Sequence, residues 1–302
     1  MKEKVLITGG TGLVGNRLTA MLLEAGFDVG ILTRGATREK DNVQYYHWDV
    51  AKQFIDENAL SNVSYIINLV GANVAEGRWT DARKKVIIES RTETTGLLFR
   101  EVQSRGVKLK AFLSASAIGI YGNDEGDHVK TETSSHGDDF LAEVVKVWEK
   151  AAEQFNDIDV RTVLLRIGIV LDPNGGALAK IAQPIKLNAG APLGSGKQYM
   201  SWVHNEDLCR VIMWAMQNEE AKGPYNVVNP NPVTNASFTK SVAKILKKPL
   251  WLPNVPGFTL KLMLGEMASI VLGGIKVSCE KLISEGFTYK YQHLEDALED
   301  LL

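Results

Sequence analysis

Little in this chain of 302 residues is in excess, and the shortages are informative. Cysteine is scarce, with Cys209 and Cys279 far apart. Neither has a metal-ligand partner at Cys-x-x-Cys spacing. They read as buried thiols in a reducing compartment, not as a disulfide or a metal site. Charge of one sign is also missing. The 34 basic and 36 acidic side chains leave a formal net charge of −2, so no basic field argues for nucleic acid. No long apolar run is present. The nearest to one, Phe258 to Leu272, is broken by Lys261, Gly265 and Glu266, and reads as a pair of packing helices and not a membrane span. The first residues, Met-Lys-Glu-Lys, run straight into an apolar strand, which argues against a signal peptide. These absences point to a cytoplasmic protein with no nucleic-acid or membrane partner; a monomer or homodimer is expected, and the sequence does not choose between them. An apolar content of 45% is enough to bury one large core, with or without a small appendage.

What the chain does have is a glycine cluster at its start. Residues 5–15 read Val-Leu-Ile-Thr-Gly-Gly-Thr-Gly-Leu-Val-Gly. An apolar strand (Val5 to Ile7) enters a tight turn, and an amphipathic helix leaves it (Asn16 to Ala25). Gly10-x-Gly12-x-x-Gly15 is the general dinucleotide fingerprint, and Gly9-x-x-Gly12-x-x-Gly15 overlaps it. Glycines there allow the turn, let a pyrophosphate approach the backbone and let the helix pack close to the strand. The helix N-terminus then offers free N–H groups to phosphate charge. The turn residues Gly9, Thr11, Gly12, Leu13, Val14 and Gly15 are therefore expected to hold the cofactor.

Strand and helix patterns alternate over the first two-thirds. Strands are expected at Val29–Thr33, Val43–Trp48, Tyr65–Val70, Ala111–Ala115 and Val160–Ile167, with helices over Thr80–Arg105 and Phe140–Phe155. Such alternation predicts an α/β fold, a Rossmann-type doubly wound parallel sheet with a smaller C-terminal substrate lobe. Ligands then bind beyond the carboxyl ends of the strands, which adds Val70, Gly71 and Ala72 to the cofactor set. The expected divisions are 1–170 for the NADP-binding part, with sheet-completing segments from 202–230. A substrate-side lobe with late strands follows over 171–246, and a helical C-terminal domain over 247–302. Strand two ends Ile31-Leu32-Thr33-Arg34. An NAD-selective site usually has an acid there to hold both ribose hydroxyls. Here the position is neutral, then basic, with Arg38 close behind, and a guanidinium pairs well with a 2′-phosphate. NADP(H) is the expected cofactor. Asp49, after strand three, could accept from an adenine amino group or cap a following helix.

Further motifs extend the pattern: Asn68-Leu-Val-Gly-Ala72, Gly77-Arg-Trp-Thr80, Glu89-Ser-Arg91, Ser114-Ala-Ser-Ala-Ile-Gly-Ile-Tyr-Gly122, Asp139-Phe-Leu-Ala-Glu143, Gly194-Ser-Gly-Lys-Gln198, Ser201-Trp-Val-His204 and Leu264-Gly-Glu-Met267. With the glycine turn, these resemble an atypical branch of the extended short-chain dehydrogenases/reductases, usually labelled NAD-dependent epimerase/dehydratase family protein. The resemblance covers almost the whole chain, including a small C-terminal domain of unassigned function. It implies an NADP-dependent oxidoreductase or epimerase-like enzyme on a small polar substrate. It also implies a serine, a Tyr-x-x-x-Lys pair and an asparagine, with the lysine lowering the tyrosine pKa. Ser116 lies where the serine is expected and Arg91 where the asparagine is. The tyrosine and lysine places hold Leu141 and Val145, which cannot exchange protons. The candidate catalytic set is therefore Ser116 to hydrogen-bond the reacting oxygen, Tyr121 or a water to supply the proton, and Arg91 to orient an anionic part of the substrate. Each has a plainer alternative: local backbone bonding for Ser116, packing for Tyr121, a backbone clamp for Arg91. Glu149 reads as a surface salt bridge and Asp207 as a helix cap. His204 near the cleft is a weaker acid/base candidate, and Lys197 and Gln198 are as well placed to be solvated as to reach a ligand. A different class of function, a silent NADP(H)-binding sensor, is favoured by the missing pair.

Overall fold

The computed structural model describes residues 2–123 and 127–302. Its strands are β1 Lys4–Thr8, β2 Asp28–Thr33, β3 Arg38–Lys40, β4 Val43–Asp49, β5 Phe54–Ile55, β6 Val63–Asn68, β7 Ala111–Ala117 and β8 Val129–Lys130. The later ones are β9 Arg161–Ile167, β10 Ile169–Asp172, β11 Tyr199–Met200, β12 Trp202–His204, β13 Gly223–Val227, β14 Val233–Thr234 and β15 Lys276–Val277. The helices run α1 Leu13–Glu24, α2 Asp81–Ser104, α3 Phe140–Glu153, α4 Gly176–Lys186 and α5 Asn205–Gln217. They continue as α6 Asn235–Ile245, α7 Gly257–Leu264, α8 Ser269–Leu272, α9 Glu280–Ser284 and α10 Leu294–Leu301.

The main sheet has the order β13-β9-β7-β6-β1-β2-β4-β3, with β5 also paired to β4. It is parallel throughout except for the antiparallel additions of β3 and β5 to β4. Strand order reverses at β1, and that switch point places the turn after β1 against the turn after β6. Alternate residues of each strand serve opposite faces. Val5, Ile7, Ile67, Leu113, Val163 and Leu165 face a core closed by α1 and α5. Leu6, Ile66, Phe112 and Leu164 face a second core closed by Leu97, Leu98 and Phe155. Each such side chain contributes about 1.5–3 kcal/mol by leaving water, so this is the doubly wound Rossmann arrangement the sequence predicts.

A third core gathers Leu178, Ile185, Trp202, Phe238, Val242 and Leu298 from α4, β12, α6 and α10. The helix α4 lies inside a stretch that reads from sequence as a glycine- and proline-rich lobe; it packs through Leu178, Ala182 and Ile185. The C-terminal segment ties back to the sheet domain as well, through the parallel pair β8–β15 and through Asp207, which accepts from the N–H groups of Lys290 and Tyr291. Both cysteines are buried, and burial pushes the Cys209 thiol up to about 12 and the Cys279 thiol up to about 11. Among the described residues, no helix is long and apolar enough to cross a membrane.

Candidate active site

The glycine turn has the shape its sequence demands. Gly9 sits at φ +70°, where an L side chain is strained. A Cβ there would also lie 3.1 Å from the Leu69 carbonyl carbon. A Cβ on Gly15 would overlap the backbone of Gly9 and stand 2.5 Å from Gly10 Cα, so only glycine lets α1 start this close to β1. Gly12 is the N-cap of α1 and supplies no side-chain cap. Thr11, Gly12 and Leu13 are exposed, which leaves the first N–H groups of the helix turned toward solvent. Beneath the turn runs a buried relay. Thr8 Oγ1 donates to Asn68 Oδ1 at 2.6 Å and accepts from the Val70 N–H at 3.3 Å, and Asn68 Nδ2 donates to Thr95 Oγ1 at 3.0 Å. These bonds end β6 at Asn68 and fix where Val70, Gly71 and Ala72 leave the sheet.

Arg34, at the end of β2, is exposed, and among the described residues no carboxylate pairs with it. Arg38 begins β3 and lies over the Tyr45 ring at 4.5 Å while donating to Ala36 O at 3.4 Å. No helix follows Asp49. It accepts from the Lys52 N–H at 3.1 Å and pairs with Lys52 Nζ at 3.3 Å, and the first of these bonds holds its carboxyl below the usual range.

Ser116 and Tyr121 belong to one buried network. Ser116 Oγ donates to Glu149 Oε1 at 2.5 Å. Arg166 holds Glu149 with two parallel bonds, Nε to Oε1 and Nη2 to Oε2, both 2.9 Å. Its Nη1 donates to Tyr121 Oη at 3.0 Å, and the Tyr121 hydroxyl donates to Asn226 Oδ1 at 2.6 Å. Asn226 closes the network by donating its N–H to Glu132 and its Nδ2 to Ser278 O. Burial works against the charge on Arg166, but Glu149 outweighs it and raises its pKa. Burial likewise raises the pKa of Tyr121 above the ordinary phenol range. Glu149, expected on the surface, is 6% exposed. The signal was present in the sequence: an acid on an apolar helix face and an arginine enclosed by the apolar residues of β9 need each other.

Arg91 lies apart from that network. It is 9% exposed, and its Nη1 donates to Ile87 O at 2.8 Å and Ala72 O at 3.2 Å. A Cβ at Gly71 would stand 2.9 Å from Arg91 Cζ, so the guanidinium and Gly71 fit only without a side chain there. Leu141 and Val145 leave the nearby wall apolar: Val145 joins the core beside Tyr121, and Leu141 packs against the cluster of Trp79, Ile87 and Val144.

A cavity of about 460 Å³ opens beside the glycine turn, lined by Leu13, Asn16, Asp172, His204, Asn205 and Asp300 among others. His204 caps α5 itself, its Nδ1 accepting from the Glu206 N–H at 3.1 Å. The cap expected from Asp207 is absent because that carboxylate holds Arg210 and the Lys290–Tyr291 backbone. Gln198 is spent on Leu193 O and Val271 O, and Lys197 is exposed.

Comparison with known proteins settles the lineage. Residues 5–229 match the NAD dependent epimerase/dehydratase family, and residues 255–301 match the Domain of unknown function (DUF1731). The chain belongs to the NAD dependent epimerase/dehydratase family. Within it, epimerase family protein YfhF of Bacillus subtilis (strain 168) is 36% identical over 299 residues, covering 99% of this chain and 97% of that protein. A solved structure of human epimerase family protein SDR39U1 (isoform 2) with NADPH superposes with TM-score 0.87 at 28% identity, covering 99% of this chain and 98% of that one. The nucleoside-diphosphate sugar epimerase of Corynebacterium glutamicum gives TM-score 0.79 at 30% identity; all of this chain matches 58% of that one. The family's fold and its nicotinamide-type turn are thus those of an atypical short-chain dehydrogenase/reductase.

Proposed function

We propose that this chain is an NADP(H)-dependent oxidoreductase acting on a small carbonyl compound, with no tyrosine–lysine relay to move the proton. The observation that carries the reading is the shape of the glycine turn. Gly9 and Gly15 have no room for a Cβ, and Gly12 leaves the helix end uncapped. The residues fit a dinucleotide: the turn takes its pyrophosphate, Val70 to Ala72 flank it, and Asp49 stands at the far sheet edge. Arg34, exposed and without an acid partner, is the group to read a 2′-phosphate, with Arg38 beside it. The human SDR39U1 structure with NADPH supports the choice of cofactor. A nicotinamide dinucleotide supplies or accepts a hydride when bound.

The chain's own residues must then manage the oxygen and the proton. Ser116 donates to the reacting oxygen by exchanging its bond to Glu149 for one to substrate. Tyr121, a phenol held neutral by burial, gives a proton but does not take one at neutral pH, which favours carbonyl reduction over alcohol oxidation. Arg91 orients an anionic part of the substrate. A second reading is favoured by one observation. The protons of Ser116 and Tyr121 both lie on partners inside the protein, which suits a silent NADP(H) sensor.

Titration of NADPH and NADH by fluorescence tests the cofactor assignment on wild type and Arg34→Ala. Losing a charge-assisted contact costs about 1.5–3 kcal/mol, so NADPH affinity should fall roughly 10- to 150-fold while NADH affinity holds. No NADPH preference in wild type, or its persistence in Arg34→Ala, refutes the assignment.

A further inference from the structure

The seam between α2 and α3, just behind Gly71, holds an imbalance of hydrogen-bond donors. Arg91 and Trp148 are 9% and 5% exposed, and the guanidinium carbon lies 4.8 Å from the indole centroid. Arg91 Nε and Trp148 Nε1 are both buried without a hydrogen-bond partner. No carboxylate pairs with Arg91 among the described residues. Burial pulls its pKa down to about 10, and the nearest charge that acts on it is Arg83, of the same sign. Two orphaned donors at one buried spot are costly unless an acceptor comes to them. Neighbouring side chains say what the acceptor is attached to. Trp79, Ile87 of α2 and Val144 of α3 form a buried apolar cluster at this seam, and Met267 and Ile270 of the C-terminal domain pack against it, as do Phe140 and Leu141. This roof is tied to the start of α2 at two points. Arg78 Nη2 donates to Leu262 O and Met263 O, both at 3.1 Å, and Lys84 pairs with Glu266 at 2.5 Å.

Given a dinucleotide on the glycine turn, as proposed, we infer that Arg91 and Trp148 form a seat for a single oxyanion, a carboxylate or phosphate. We infer too that the substrate carrying it has an apolar body under Met267 and Ile270. The substrate class is then an amphipathic carbonyl acid, of which medium-chain 2-oxo acids are the simplest probe. Arg91 supplies charge and a fork of donors, Trp148 a neutral donor at the edge, and the C-terminal domain sets the length of chain accepted. The anion has a second conceivable source, the cofactor's own pyrophosphate, and the experiment separates the two.

Full-length protein is loaded with NADP⁺, and binding of 2-oxo acids of three to eight carbons is followed by ligand-observed NMR. Methyl ketones of matched length serve as carboxylate-free controls. A binding readout serves whether or not the protein turns over. The acids should bind at least tenfold more tightly than the ketones, and affinity should rise with chain length. Arg91→Gln should erase the acid preference, Arg91→Lys should restore part of it, and Trp148→Phe should reduce it a few-fold. Ile270→Ala should weaken only the longer acids. NADPH affinity, titrated separately, should stay within twofold in Trp148→Phe and Ile270→Ala. Circular dichroism melts identify any variant that fails to fold, and Trp148→Phe, which keeps an aromatic ring and removes the N–H, stands in if Arg91→Gln does. Equal binding of acid and ketone overturns the seat, as does no binding of any acid while NADPH still binds. A tenfold loss of NADPH affinity in folded Trp148→Phe assigns the seat to the cofactor's phosphate and overturns the substrate reading. Failure of wild type to bind NADPH at all would sink the cofactor proposal instead.

Discussion

Two buried polar groups lie on either side of α3, and they differ in how their hydrogen bonds close. On the β7 side, Ser116, Glu149, Arg166, Tyr121 and Asn226 give every donor a protein acceptor. On the α2 side, Arg91 and Trp148 keep donors with none. A saturated network resists change, since each bond exists only while the others hold their partners in place. An unsaturated one stores a demand that a ligand can meet. The lesson concerns how site residues are recognised. Serine and tyrosine at the expected positions look chemical in a sequence, yet here the residue with unmet bonding capacity is the arginine that departs from the pattern.

The contrast can be broken most forcefully at Glu149. Glu149→Ala leaves Arg166 charged and buried without its two-pronged partner, and breaking such a pair costs about 3–5 kcal/mol. Urea denaturation should show a loss of that size, whereas Arg91→Gln should cost far less because it strands no carboxylate. Comparable losses at the two sites would end the distinction. Tyr121→Phe sharpens it at smaller scale. It strands the Asn226 oxygen and one Arg166 N–H, so it should destabilise by about 1–3 kcal/mol. A variant as stable as wild type would show that water replaces the hydroxyl and that the network is less closed than its geometry indicates.

The smallest effect expected is a slope with pH. His204 lies in neither group, stacks on Tyr291 at 3.9 Å and has Nε2 3.3 Å from Asp300. Burial lowers its pKa despite Asp300, Asp207 and Glu206, each of which pulls it up. The unfolded chain therefore binds this proton more readily than the folded one. The stability contributed by neutral His204 is whole above the unfolded value near 6.5 and is lost as pH falls through the folded value. The slope cannot exceed about 1.4 kcal/mol per pH unit for one proton. His204→Asn keeps a side chain able to cap α5 and should flatten stability between pH 6.5 and the acid side. An unchanged profile would place the titration elsewhere.

What the sequence made legible was what is local in the chain. The turn at Gly9–Gly15 needs only its own backbone, so its shape followed from spacing. The main strands followed from runs such as Val5–Ile7 and Val163–Leu165, long enough to show their pattern. The pairs β8–β15 and β11–β14 are two residues per strand and carry no pattern to read. The polar partners were hidden for another reason. Ser116 meets Glu149 across 33 residues, Arg166 meets Tyr121 across 45, and Asp207 meets the Lys290 N–H across 83. Asp207 shows the effect most clearly: a helix start ordinarily assigns such an acid to capping, and only the returning tail gives it a different task.

That returning tail has a consequence for how the molecule is made. The lobe's core gathers Trp202 and Phe238 with Leu294, Ala297 and Leu298 of α10. All strands of the main sheet are present once β13 has emerged from the ribosome, and the core around Leu6 and Ile66 can condense while synthesis continues, although the opposite face still waits for Val277, Leu282, Phe287 and Tyr289. The lobe cannot close then, because its wall is still inside the exit tunnel or not yet translated. Until residues 294–301 emerge, Trp202 lacks its cover and Asp207 faces no backbone donor. The nascent chain thus spends the last quarter of its synthesis with a formed sheet and an open lobe, the interval in which a chaperone would find something to hold.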